Sequence, residues 1–251
     1  MEVTDIKLSK YDVEREIKLP CEITPKVTYF CGVMAGDGYI AGDRDKKHKY
    51  VINCGGNPAD EIEFYDVNVR KLMKKLFNVE PTMKHMSGGT YGFSFGSKAI
   101  SSYLTGCIGL PSGRKPLDFC IPKIIEQDPV LKHHFIQGLV DTDFGFCLKK
   151  RYKEKYYYPV ICFCSKSEIL TIMVHNELKK KGFKVTKHYR SKSKDPRVRR
   201  GFTIRYRFDI NGHKELLKFI DIMKLRHPKH IQTYKYWIAR NLDKKRFFLK
   251  I

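Results

Sequence analysis

One nine-residue stretch occurs twice, and it constrains the fold more than any other feature of the chain. The copies are Phe30-Cys31-Gly32-Val33-Met34-Ala35-Gly36-Asp37-Gly38 and Ile136-Gln137-Gly138-Leu139-Val140-Asp141-Thr142-Asp143-Phe144. Both begin apolar, both hold glycine at the third position, and both hold aspartate at the eighth. Each copy reads as a one-sided apolar helix with small residues one turn apart, such as Gly32, Ala35 and Gly36, and small residues let two helix backbones approach closely. Each helix ends on an acid, where the helix dipole disfavours negative charge. Two such helices packed side by side would bring Asp37 and Asp143 together. Paired carboxylates of this kind are stabilised by a divalent cation with oxygen ligands. The acids are 143 − 37 = 106 residues apart, enough for one α/β unit per copy.

The polypeptide around the repeat carries 49 Lys+Arg against 27 Asp+Glu, a formal net charge of +22 over 251 residues. Such an excess points to a polyanionic partner. No apolar run approaches the ~20 residues that span a bilayer, and residues 1–20 mix acids with bases and lack an apolar signal core. An intracellular protein is expected. None of the eight cysteines forms a Cys-x-x-Cys pair, so free thiols are expected rather than a zinc site. Cys162 and Cys164 are two apart and would share one face of a strand.

In order, the chain reads as a helix over 27–37 with Thr28 as N-cap, a hairpin over 38–54 with a basic tip at 42–49, and a helix over 60–77. Two short strands follow near 79–86 and 91–95, then a helix over 97–107. Residues 111–130 hold four prolines and little periodicity, and read as a linker. The order then repeats: a helix over 130–141, strands over 144–150 and 156–164 around a basic tip at 151–155, and a helix over 168–181. Strands over 183–189 and 202–210 flank the basic run 192–200, and a helix over 213–223 closes the unit. The tail with Trp237 offers a last helix. In the strand Phe202–Phe208, alternation puts Phe202, Ile204, Tyr206 and Phe208 on one face and Thr203, Arg205 and Arg207 on the other. A basic outer face of this kind suits a major-groove reader.

The duplicated stretch resembles the LAGLIDADG motifs of homing endonucleases, in the type with two motifs on one chain. The resemblance covers about residues 27–240. It implies an α+β fold of two pseudo-symmetric αββαββα units, with antiparallel sheets forming a DNA-binding saddle and the motif helices packed at the centre. The organisation expected is an N-terminal extension (1–26), a first half (27–110), a linker (111–130), a second half (131–240) and a basic tail (241–251). Two positions depart from the family pattern. Ala35 replaces the first acid of the motif, a position that is not catalytic, and Phe144 replaces the final glycine of the second copy, which shifts its exit turn.

What the resemblance implies chemically is a monomer that hydrolyses both strands of a long asymmetric DNA site across the minor groove, leaving short 3′ overhangs. Asp37 and Asp143 would bind the catalytic metal, helped by the carbonyls of Gly36 and Thr142. Mg2+ is the expected ion, with Mn2+ able to substitute and Ca2+ supporting binding without cleavage. The family places a basic residue near each centre. Lys166 matches that place in the second half, Asn57 stands there in the first, and Lys98 is another candidate. Base and phosphate contacts are expected from Arg44, Lys46, Lys47, Lys49, Lys149, Arg151, Lys153, Arg190, Arg197, Arg199, Arg205 and Arg207. An RNA maturase, which binds intron RNA, and a DNA-binding protein of the same fold without cleavage are the alternatives. Asp37 and Asp143 favour cleavage over the maturase, which has no need of them; the DNA-binding protein predicts specific binding without cleavage under any divalent ion.

Overall fold

The structure, a computed structural model, describes residues 2–41, 50–150, 157–196, 198–199 and 201–242. The chain divides into two compact units, Met1–Thr142 and Asp143–Ile251.

The first unit opens with a 3-10 turn (Val3–Asp5) and a short helix α1 (Lys10–Glu14), then the long helix α2 (Pro25–Asp37). Thr24, not Thr28, caps α2: its hydroxyl accepts from the Val27 amide, and Pro25 sits at the first helical position. Proline has no N–H to satisfy there and its φ is already helical, so the helix starts two residues earlier than the sequence suggested. Thr28 instead donates its hydroxyl to the Pro25 carbonyl at 3.1 Å. From α2 the chain passes directly into β1 (Gly38–Ile40), then β2 (Val51–Gly56). A π-helical segment (Phe64–Val69) runs into α3 (Arg70–Phe77). The strands β3 (Met83–Met86) and β4 (Thr90–Gly96) follow, then α4 (Lys98–Ser102), continued by a second π-helical run, Tyr103–Ile108.

The proline-rich segment carries a helix, α5 (Lys123–Glu126), and leads into α6 (Pro129–Thr142). The two motif helices pack on each other at their glycines. A Cβ on Gly32 would collide with the Phe135 carbonyl oxygen and stand 2.9 Å from the Gly138 Cα; one on Gly138 would stand 2.7 Å from the Val33 nitrogen. The small residues are thus used as the sequence implied, for close backbone approach. The core of this unit includes Phe30, Phe77 and Tyr103, all fully buried. Their rings meet edge to face at 5.5 and 6.2 Å.

The second unit contains β5 (Phe144–Lys150), β6 (Tyr157–Ser165), α7 (Glu168–Lys180), β7 (Tyr189–Lys194), β8 (Phe202–Asn211), α8 (His213–Met223) and α9 (Pro228–Leu242). The strand expected over 183–189 lies instead at Tyr189–Lys194. Its sequence, Tyr-Arg-Ser-Lys-Ser-Lys, has no apolar face, and it is held at the sheet edge by pairing with β8. The sheets of the two units have the same antiparallel order, β1-β2-β4-β3 and β5-β6-β8-β7. They also share a register: Gly38 pairs with Cys54, and Phe144, its counterpart in the repeat, pairs with Phe163. Phe144, Phe163, Phe208 and Phe219 form the aromatic core of this unit. Trp237 of α9 is buried and stacks on His213 at 5.5 Å.

Among the described residues no helix is long and apolar enough to cross a membrane. All eight cysteines are free; Cys31 and Cys54 are buried, while Cys21, Cys120 and Cys147 are exposed.

Candidate active site

Asp37 is the last residue of α2, and Gly38 already has extended backbone (φ −86°, ψ 158°). Glycine is needed there for space: a Cβ would stand 2.6 Å from the Met34 Cα. The second motif has Phe144 at this position, and α6 ends at Thr142, so Asp143 occupies a turn residue before β5. The exit is shifted by one residue, as the missing glycine implied. The freed position lets Phe144 drop its ring into the aromatic core.

Around Asp37 the first unit assembles four further groups. The Tyr65 hydroxyl donates to Asp37 Oδ2 at 2.8 Å. The Lys115 ammonium donates to the carbonyl of Gly36, the residue before the acid. Beneath lies Cys54, whose thiol is pushed up first by burial and further by the charges of Asp37 and Glu61; Lys115 and a hydrogen bond with Tyr65 oppose that shift. Glu61 holds the chain turn by accepting the Asn57 amide at 2.8 Å.

Asp37 also lies at the margin of an open cleft of about 640 Å³ on the outer sheet face, lined among others by Tyr39, Asn53, Gly55, Lys84, His85 and Ser94. Tyr39, Asn53 and Ser94 form one cross-strand row, since Asn53 pairs with both of the others. The neighbouring row is Gly55, Gly92 and Lys84. Its two glycines are needed for close approach: a Cβ on Gly55 would collide with the Met86 methyl, and one on Gly92 with the Cys54 carbonyl. The Oδ1 atom of Asn53 is buried without a hydrogen-bond partner.

In the second unit the corresponding rows are Gly145, Cys162 and Asp209, then Cys164, Arg207 and Tyr189. Here side chains fill the face. Arg207 is locked to Asp209 through Nε and Nη2, both at 2.9 Å. Burial raises the Cys164 thiol; Arg205 opposes this by charge and hydrogen bond, and the charge of Asp143 adds to it. The Cys164 thiol thus feels the charges of both Asp143 and Arg205.

The basic candidates are placed as follows. Asn57 is exposed, and its side-chain oxygen accepts from the Ala59 amide at 3.1 Å, so it serves the turn after β2. Lys98 opens α4, behind the Ser97 cap. Lys166 is exposed in the link from β6 to α7. Sequence reasoning passed over Lys115 and Tyr65. Lys115 lies in a segment with little periodicity, and Tyr65 falls at a helically spaced apolar position, where a ring reads as core.

Of the nucleic-acid candidates, Lys149, Arg205 and Arg207 share the outer face of the second sheet, by register with Tyr158 and Cys164. Arg190 pairs with Tyr206 and so falls on the opposite face. Arg199 is exposed in the turn before β8. Arg44, Lys46, Lys47, Lys49, Arg151, Lys153 and Arg197 lie outside the described residues. The alternation along β8 is blurred at its start. Thr203 is buried and donates to Asp195 at 3.0 Å, whereas Phe202, Ile204 and Tyr206 are only half-buried.

Neither a scan of protein-family models nor a search of curated proteins finds a match. Solved structures do match. The chain is similar to the homing endonuclease I-WcaI, solved bound to its DNA recognition sequence, at 14% identity over 92% of each chain and a TM-score of 0.48. It is similar to the LAGLIDADG homing endonuclease I-GzeII, solved in complex with its DNA target, at 11% identity over 89% of this chain and 92% of that one, with a TM-score of 0.50. The likeness to I-GzeII, together with the repeated helix–acid–strand passage and two sheets of identical order, gives this chain the LAGLIDADG homing endonuclease fold.

Proposed function

We propose that this chain is a site-specific double-strand DNA endonuclease in which Asp37 and Asp143 each serve one strand. The observation that carries the reading is the group around Asp37. A carboxylate fixed by a buried phenol stands beside a backbone carbonyl that already accepts a cationic group, at the margin of an open sheet-face cleft.

The donors at the motif ends are all oxygen: the carboxylates of Asp37 and Asp143 and the carbonyls of Gly36 and Thr142. Such a set suits Mg2+, which takes one or two carboxylates plus substrate phosphates and keeps several waters. A bound divalent cation would stabilise charge on the scissile phosphate and activate the attacking water. Asp37 presents its carboxylate in one orientation because Tyr65 holds Oδ2. Lys115 brings a positive charge to the same point, where negative charge develops on the phosphate oxygens. In the second unit Arg205 offers a cation beside Cys164, and Lys166 follows the strand that carries Cys164.

The sheet faces serve recognition. Lys84, Lys149, Arg205 and Arg207 supply phosphate or guanine contacts. Cutting across the minor groove, short 3′ overhangs, action as a monomer, replacement of Mg2+ by Mn2+ and binding without cleavage in Ca2+ all belong to the same reading.

The test is selection of cleavable duplexes from a randomised plasmid library, first with Mg2+ and then with Ca2+. Linear product with Mg2+ and only retention with Ca2+ is expected. Asp37→Asn and Asp143→Asn should each leave a nick, in opposite strands. Retention of a specific duplex with no product under Mg2+ or Mn2+ would make the chain a DNA-binding protein. Stimulated splicing of an intron RNA without DNA cleavage would make it a maturase.

A further inference from the structure

In the first unit a helix side chain beneath the sheet reaches the motif acid. Tyr65 is fully buried, yet its hydroxyl reaches the Asp37 carboxylate at 2.8 Å. Its place in the chain is unusual. The helix over 62–77 begins with two α-helical residues and then widens into a π-helical run, Phe64–Val69. π-Turns insert an extra residue, redirect side chains and are frequent at functional sites. The end of β2 makes room for the ring: a Cβ on Gly56 would stand 3.1 Å from Tyr65 Cε2. Phe64 packs edge-on against the same ring at 5.5 Å, which fixes its plane.

The equivalent helix position of the second unit holds a shorter side chain with a different partner. Tyr65 is the fourth residue of its helix, and the fourth residue of α7 is Thr171. Thr171 is also fully buried, but its hydroxyl donates at 2.7 Å to the Ser167 carbonyl of its own first turn. α7 is α-helical throughout Glu168–Lys180. The shared folding role of this position is therefore burial under the sheet, and a long phenol on a π-turn is not required for that.

We infer that Tyr65 is a positioning residue for Asp37, orienting its carboxylate for a divalent cation. This rests on the nuclease reading above. A hydrogen bond to one oxygen of a ligating carboxylate fixes the direction of the other. Losing such an outer partner typically weakens metal affinity or activity by roughly 10–100-fold.

The experiment uses the full chain with a duplex recovered by selection, labelled on either strand, under single-turnover conditions with Mg2+. Tyr65→Phe keeps the ring and removes only the hydroxyl. It should slow cutting of the strand that Asp37→Asn leaves intact by roughly 10–100-fold, with the other strand cut at the wild-type rate and duplex retention in Ca2+ unchanged. Thr171→Val, which removes the corresponding hydroxyl of the second unit, should leave both rates unchanged. Wild-type rates on both strands in Tyr65→Phe, or equal slowing of both, would overturn the positioning role. Mn2+ titration of the free chain by electron paramagnetic resonance separates this from failure of the nuclease reading. Binding that weakens in Tyr65→Phe, in a wild type that cuts nothing, keeps the positioning role and sinks the nuclease. Equal Mn2+ affinity in the two proteins sinks the positioning role. A wild type that neither binds Mn2+ nor cuts DNA overturns both.

Discussion

The Tyr29 phenol of α2 donates a 2.7 Å hydrogen bond to the Asp141 carboxylate of α6, and both residues are 2% exposed. Asp141 is the sixth residue of the second motif, the position held by Ala35 in the first; Tyr29 corresponds in the same way to Phe135. The two copies therefore differ in a matched pair, polar in one place and apolar in the other. The first acid of a motif is here a structural contact, which explains how alanine can stand in for it. Tyr29→Phe removes the donor and leaves the carboxylate buried, at a cost of about 2 kcal/mol. Urea unfolding should report that loss, and cleavage of both strands in the residual folded protein should continue. A variant as stable as wild type would show that the bond contributes nothing net.

A few residues along the same helices, Gly32 and Gly138 are in backbone contact. A methyl group at either one meets main-chain atoms, which cannot rotate away. The helices would have to separate, so Gly32→Ala and Gly138→Ala should each destabilise by roughly 3 kcal/mol. Because both changes strain one contact, the double variant should lose less than the sum of the two. Denaturant midpoints of the three proteins give the comparison, and strict additivity would contradict a shared contact.

How far these features could be read from the chain alone depends on what encodes them. The motif helices, their acids and the hairpin order are carried by local pattern, since small residues at one-turn spacing and alternating strands need no knowledge of distant contacts. Lys115 is placed by a distant contact. Gly113 adopts φ +76° and donates its amide to the Ile40 carbonyl at 2.7 Å, which pins the proline-rich segment to the end of β1 beside Asp37. No periodicity marks such a tether. β7 was displaced by several residues for a related reason, because an edge strand of alternating Lys and Ser is selected by its partner's backbone. Tyr65 looked like core because its ring is core; only its hydroxyl does something else.

The N-terminal segment reads as a charged lead-in, yet it is fastened by one buried acid. Asp12 is 1% exposed and accepts from Ser97 Oγ at 2.7 Å and from the Ala99 amide at 3.2 Å, across to the start of α4. Burial alone would raise its pKa, but the hydrogen bonds from Ser9, Ser97 and Ala99 outweigh it and hold the carboxyl below the ordinary 3.8. A depressed carboxylate contributes stability above its unfolded value and loses that contribution as pH falls through the folded one. Stability should thus decline as the pH drops below about 4, and Asp12→Asn should remove part of that decline while costing about 2 kcal/mol at neutral pH. Thermal melts across that range, compared between the two proteins, check both signs.

Thiol chemistry offers a map of the sheet face. Burial raises the thiols of Cys31 and Cys54, so few thiolates form and access is poor. Cys21, Cys120 and Cys147 are exposed and should react first with an alkylating reagent, as read by mass spectrometry of the labelled peptides. Cys147 pairs with Val160 on the face that also carries Lys149 and Cys162. A duplex bound in Ca2+ should protect Cys147. Unchanged labelling of Cys147 in a saturated complex would move the interface to another surface.

Lys115 supplies the sharpest test of the chemistry around Asp37. Its ammonium sits on the Gly36 carbonyl, adjacent to the acid, and its charge is felt by the buried Cys54 thiol. A cation fixed at that point stabilises negative charge as it develops on phosphate oxygens, and loss of one preorganised group of this kind costs roughly 100-fold or more in rate. Lys115→Met keeps the length of the side chain and removes the charge. Cutting of the strand served by Asp37 should fall by about that factor, with the other strand unaffected and the plasmid product accumulating as a nicked circle. Lys115→Arg restores charge but not the compact ammonium, and should recover only part of the rate. If Lys115→Met cut both strands at the wild-type rate, the lysine would be a structural tether for its loop, and the basic group serving Asp37 would have to come from elsewhere.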